Sequence, residues 1–156
     1  MSTEIWVLVE MRGDAPRRVC REALGRAAAL GGEPVAVVLG ADVDAATAAV
    51  APFAKRVLAV AHPLLEGCVA ETWARVLAEL IASRRPAAVL GGATPSSRGV
   101  FARLAARLGC GYAADVGGLD VAPDGRLAAV RPVLGGRAYA ELAFRGPTPD
   151  LATLRP

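Results

Sequence analysis

A chain of 156 residues, 54% of them hydrophobic, can enclose one sizeable core and is short for two. Its net charge of +3 is spread along the sequence, and aromatic residues make up only 4%, so nucleic acid is a poor fit as a partner. No apolar run reaches the roughly 20 residues of a bilayer span, and Met-Ser-Thr-Glu-Ile at the start lacks the basic and apolar regions of a signal peptide, which gives a cytoplasmic protein with no membrane insertion.

Taken in chain order, Ile5 to Val9 is a short, β-branched apolar run that predicts a first strand. Asp14 and Pro16 are start signals for a helix whose inner stripe is Val19, Ala23, Ala27 and Leu30, closed by Gly31-Gly32. Val35 to Leu39 predicts a second buried strand, Val43 to Phe53 a weaker helical segment, and Val57 to Ala61 a third strand. Val69, Trp73, Val76, Leu77, Leu80 and Ile81 then fall on one face of a helix, with Glu71, Arg75 and Glu79 at i,i+4 spacing on another. Trp73 is read as core. Ala87 to Leu90 is strand four, and Phe101, Leu104, Ala105 and Leu108 mark the next helix.

Continuously apolar strands alternating with helices indicate a doubly wound α/β domain with a mainly parallel sheet covered on both faces. Beyond Gly109 the pattern turns to short strands separated by turns: Leu119 to Val121, Leu127 to Val133 and Ala138 to Phe144. These predict C-terminal β-hairpins, with Pro132 at an edge or bulge and a last strand at Leu151 to Leu154. The expected organisation is a single domain, 1–156, with an alternating core over 1–108 and hairpins plus a closing strand over 109–156.

The strand-to-helix loop after strand four, Gly91-Gly-Ala-Thr-Pro-Ser-Ser-Arg98, is the one segment with ligand chemistry. With a strand order of 3-2-1-4 the winding reverses between strands one and four, where open parallel sheets place their ligands, and Glu10 to Pro16 would face Gly91 to Arg98. Gly92, Thr94, Ser96, Ser97 and Arg98 would then form an anion or nucleotide loop at a helix N-terminus. The opposing reading is a tight turn in which Ser96 or Ser97 caps the helix. Arg98 opposes the helix dipole unless an anion or carboxylate lies close by. No complete phosphate motif is present: Gly-x-x-x-x-Gly-Lys-[Ser/Thr] lacks its lysine, and Gly109-Cys-Gly111 does not extend to Gly-x-Gly-x-x-Gly.

Cys20, Cys68 and Cys110 are scattered and read as small buried hydrophobes, with neither a disulfide framework nor a metal site. His62, the single histidine, is read as a loop residue. Asp115 and the pairs Asp42/Asp44 and Glu10/Asp14 are read as caps rather than acid–base groups. No catalytic residue is assigned. Arg131 and Arg137, flanking Gly135-Gly136, are candidates for partner contact.

Leu90 to Val116, with its Gly-Ala-Thr loop, Arg103-Leu-Ala-Ala-Arg-Leu108 helix and Asp115-Val116, resembles the corresponding run of electron-transfer flavoprotein alpha subunits. Val130-Arg-Pro-Val-Leu-Gly-Gly-Arg-Ala138 is similar to the family's Arg-Pro-Ile-Tyr-x-Gly-x-Ala, and Leu151-Ala-Thr-Leu-Arg-Pro156 to the Ala-Thr-Val-Arg-Pro that closes its first domain. Trp6 to Glu10 and Gly31 to Gly40 also fit, so the likeness spans essentially the whole chain. Leu134, Arg137 and Pro95-Ser96-Ser97 depart from the family pattern. The resemblance implies a fold of the adenine-nucleotide alpha hydrolase-like type. It also implies a non-catalytic N-terminal scaffold within an FAD-dependent electron carrier between dehydrogenases, such as acyl-CoA dehydrogenases, and the respiratory chain. In that family FAD is bound mainly by a C-terminal FAD-binding domain, so no cofactor is expected on this chain alone, and the partner is a beta-type subunit in a heterodimer. The alternative, resting on the loop chemistry, is a free-standing nucleotide-binding module similar to universal stress proteins.

Overall fold

The computed structural model describes residues 3–156. In chain order the elements are β1 (Glu4–Leu8), β2 (Met11–Arg12), β3 (Ala15–Pro16), α1 (Arg18–Ala29), β4 (Glu33–Gly40), α2 (Asp44–Val50) and β5 (Arg56–Ala61). They continue with α3 (Ala70–Arg84), β6 (Ala88–Gly92), α4 (Pro95–Leu108), β7 (Tyr112–Val116), β8 (Gly118–Val121), β9 (Leu127–Val133), β10 (Ala138–Ala143) and β11 (Asp150–Leu154). Single 3-10 segments lie at Ala51–Phe53, Pro63–Cys68 and Leu134–Gly136.

Six strands form one sheet in the order β5-β4-β1-β6-β11-β7, and every pairing in it is parallel. The first four follow the predicted 3-2-1-4 order. Side chains alternate along β1 and the residue after it: Ile5, Val7 and Val9 join one buried cluster with Val19, Ala23 and Leu24 of α1, while Trp6 and Leu8 join the other with Leu77 of α3 and Phe101 of α4. Two-sided burial is why the strand is apolar at every position instead of every second one. Trp6 is fully buried yet satisfied, since its indole N–H donates to Glu4 Oε2 at 2.8 Å, and Trp73 likewise donates to the Leu65 carbonyl at 3.0 Å.

The last strand is not appended at an edge. β11 lies between β6 and β7, pairing Leu151 with Val89 on one side and with Tyr112 on the other. β7, which the sequence pattern did not announce, exists because β11 supplies its partner. The hairpin region forms a separate antiparallel sheet, β10-β9-β8, whose Leu119, Leu127 and Ala129 extend the α1-side cluster. Pro132 pairs with Tyr139 of β10 beyond the point where β8 stops at Gly118 opposite Val130, so the proline sits where β9 has one neighbour.

Asp14 and Pro16 do not start a helix. Pro16 pairs with Met11 in the small β2–β3 hairpin, Asp14 lies in its turn, and α1 begins at Arg18 with no side-chain cap. Val69, placed on the α3 inner stripe by spacing, precedes the helix and is 54% exposed, whereas Trp73, Ala74, Leu77 and Ile81 carry the burial.

Candidate functional site

The crevice at the winding reversal is bounded by the segment after β1 and the loop between β6 and α4. Thr94 is the N-cap of α4: its hydroxyl accepts from the Ser97 N–H at 3.1 Å and donates to Glu10 Oε1 at 2.6 Å. This corrects the expectation that Ser96 or Ser97 would cap; Pro95 at the first helical position marks Thr94 as the cap residue. Glu10 is itself held, its N–H donating to Cys20 Sγ at 3.3 Å and its carboxylate lying 3.6 Å from Arg17 Nε. A resident carboxylate, 10% exposed, therefore lies over the positive end of α4.

Backbone N–H groups of the loop are also engaged. The N–H of Ala93 donates to the Leu154 carbonyl at 2.7 Å and that of Arg98 to the Thr94 carbonyl at 3.0 Å. A Cβ on Gly91 would come within 2.8 Å of the Phe101 ring and 3.0 Å of Ser97 Oγ, and one on Gly92 within 2.4 Å of Val19 Cγ1. Both glycines admit helices close to the sheet. Ser97 is fully buried against Gly91 with no partner for its hydroxyl, while Ser96 and Arg98 are exposed.

A second polar cluster lies where β7 and β11 end. Asp115 adopts φ +63, and its N–H donates to Thr153 Oγ1 at 3.1 Å, where the β11–β7 register shifts. The buried Thr153 hydroxyl also meets Tyr112 OH at 3.0 Å. Arg155 Nη2 donates to Asp115 Oδ2 at 2.8 Å. That bond, reinforced by the charges of Arg155, Arg98 and Arg131, holds the Asp115 carboxyl below the usual carboxylate range, and burial pushes the Tyr112 phenol up. Arg98 is among the charges that lower the Asp115 carboxyl, whose direct ion pair is with Arg155. Sequence reasoning treated Asp115 only as a cap and did not connect it to Arg98, Arg131 or Arg155, which lie far apart along the chain.

Burial raises Cys20 and Cys68 to about 11, so both remain thiols at neutral pH. His62 is exposed, and its Nδ1 accepts from the Leu64 N–H at 3.2 Å to cap a 3-10 turn. Arg137 is exposed at the turn after Leu134–Gly136. Among the described residues no cluster of histidine, cysteine or carboxylate groups could hold a metal, and no helix is long and apolar enough to cross a membrane.

These features define a class: a doubly wound α/β domain whose crevice at the strand reversal is closed by its own glutamate. Residues 5–156 match the family described as the electron transfer flavoprotein domain. The chain belongs to that family. It is 34% identical over 158 residues to the electron transfer flavoprotein subunit alpha of Thermoanaerobacterium thermosaccharolyticum, covering 98% of this chain and 48% of that protein. The subunit alpha of Clostridium acetobutylicum is also 34% identical, over 97% of this chain and 47% of its own length. Protein FixB of Azorhizobium caulinodans is 32% identical over 97% of this chain and 43% of its own length. The chain spans about half the length of these curated relatives.

Proposed function

We propose that this chain serves as the N-terminal scaffold and subunit-interaction domain of an electron-transfer flavoprotein alpha subunit, packing against a beta-type subunit, with FAD held mainly by a separate C-terminal FAD-binding domain. The flavin would carry electrons from dehydrogenases, acyl-CoA dehydrogenases among them, toward the respiratory chain. This chain contributes shape and contact surface rather than catalysis, acts in the cytoplasm, and constitutes one domain over 1–156.

The observation that carries this reading is an uncovered apolar surface on the antiparallel sheet. Tyr139 is 71% exposed, Leu134 77% and Val130 37%. Tyr139 pairs with Pro132, and Glu141 with Val130, so Val130, Pro132 and Tyr139 share the outer face of β9–β10. Aromatic and apolar side chains concentrated in this way suit a partner chain. Arg131 and Arg137 flank the same hairpin end.

Mixing the chain with a beta-type subunit should give a one-to-one complex by sedimentation, lost in Tyr139→Ser with Leu134→Ser, while the chain alone mixed with FAD stays colourless. Stoichiometric flavin on the isolated chain overturns the assignment.

A further inference from the structure

The antiparallel sheet turns Leu119, Leu127 and Ala129 toward the core, and the pairing register fixes what its outer face carries. Gly118, Val130 and Glu141 form one cross-strand row of that face, and Asp120, Ala128 and Ala143 form the next. Pro132 and Tyr139 pair in a third row, on the other side of Val130. Gly118 and Ala128 are small, so the face is hollowed between longer side chains, and a cavity of about 290 Å³ has Asp120, Val130 and Glu141 in its wall. Asp120 and Glu141 are both exposed, and neither carboxylate makes an ion pair or a side-chain hydrogen bond among the described residues. Arg131 pairs with Ala140 on the opposite face, and none of the outward residues of β8, β9 and β10 is basic. A chain of net charge +3 thus presents, beside its exposed Val130 and Tyr139, a face charged only by two acids.

A partner that covers Val130 and Tyr139 also takes Asp120 and Glu141 out of water, and a carboxylate without a counter-charge resists that transfer. A second copy of this chain, laid on the face about a two-fold axis, would bring further carboxylates to the same patch. We propose that the outer face of β8–β10 receives a lysine or arginine of the beta-type subunit, its aliphatic stem over Ala128 and Val130 and its cationic head between Asp120 and Glu141. Long basic side chains suit such a hollow because the stem packs on apolar surface while the head reaches the carboxylates at the rim. This rests on the reading above that the chain packs against a beta-type subunit. It adds the chemical requirement that the subunit present a base within its apolar contact.

The test measures association with the beta-type subunit by calorimetry across a range of salt concentrations. For the unmodified chain, affinity should fall as salt rises, because screening weakens an acid–base contact. Asp120→Lys with Glu141→Lys, shown by circular dichroism to be folded, should weaken binding about tenfold or more and abolish or invert that salt dependence. Asp120→Asn with Glu141→Gln, which avoids charge reversal, should give a smaller loss and a shallower salt dependence. Affinity and salt dependence unchanged in both variants, with Tyr139→Ser still disruptive, sink the proposal of a basic side chain and leave the subunit reading intact. Failure of the unmodified chain to bind sinks both. A parallel titration of the chain with calcium alone supports the proposal if it shows no heat. Saturable calcium binding lost in the Asn and Gln variant would instead assign the two carboxylates to a metal ion and overturn it.

Discussion

The Glu10 carboxylate accepts a 2.6 Å hydrogen bond from the Thr94 hydroxyl across the strand reversal, placing a negative group of the chain itself at the N-terminus of α4. Thr94→Val removes both this bond and the cap to Ser97. The expected loss is about 2–5 kcal/mol in urea unfolding, the sum of a helix cap and a charge-assisted bond. Thr94→Ser keeps both bonds and should lie within about 0.5 kcal/mol of the parent. Equal losses in the two variants would mean that the hydroxyl is not what matters.

The same geometry predicts how the loop treats nucleotides. Glu10 repels phosphate, and several loop N–H groups are already bonded within the chain, so ATP and AMP should give no binding heat at millimolar concentration. Saturable heat abolished by Ser97→Ala together with Arg98→Ala would revive the nucleotide-module reading. Ser97→Ala alone should change stability by less than about 1 kcal/mol, because the hydroxyl it deletes has no partner.

Gly92 approaches Val19 so closely that an added methyl would overlap it. Gly92→Ala should cost about 1–3 kcal/mol through overpacking. In a double-mutant cycle, Val19→Ala should recover part of that cost by making room, which a purely conformational effect at residue 92 would not do. Thermal unfolding of the four proteins reads the coupling.

Asp150, 2% exposed at the start of β11, accepts Arg126 through both oxygens and the Leu127 N–H at 2.9 Å, and Arg126 also reaches the Gly146 carbonyl at 3.1 Å. This ties the closing strand to the antiparallel sheet. Asp150→Ala strands a partly buried guanidinium and should cost about 3 kcal/mol, with amide exchange accelerating first in β11. Uniform acceleration across both sheets would argue against that local role.

Acid unfolding should carry the signature of Asp115. Its folded pKa is depressed, so it binds protons more readily when unfolded and adds stability above the ordinary carboxylate pKa. That contribution fades as pH falls below the ordinary value toward the folded one, roughly from pH 4 downward. Asp115→Asn should flatten stability against pH in that window and change nothing in its slope near neutrality.

The alternating core was legible because β1, β4 and β6 are buried on both faces and so spell unbroken apolar runs between helical stripes. β7 was missed because Tyr-Ala-Ala-Asp-Val has no such run, and it becomes a strand only through β11, almost forty residues later. Pro16 misled because proline suits both a helix start and a two-residue strand, and local chemistry cannot choose between them. At the site, the facing of Glu10 and the β6–α4 loop followed from strand order, and Arg98's need for a carboxylate followed from the dipole. That Glu10 reaches Thr94 at that helix start, and that Asp115 pairs with Arg155, depended on long-range pairing that no local pattern encodes.

Because β11 is threaded into the interior of the sheet, synthesis of this domain has an enforced sequence of events. Until residues 150–154 emerge from the ribosome, the nascent chain holds β6 with one flank bare and β7 with no neighbour in the sheet. Both are ready to pair with the wrong strand. The domain is thus most vulnerable to aggregation in the interval before β11 becomes available, and a chaperone or an early-arriving partner would be most useful then.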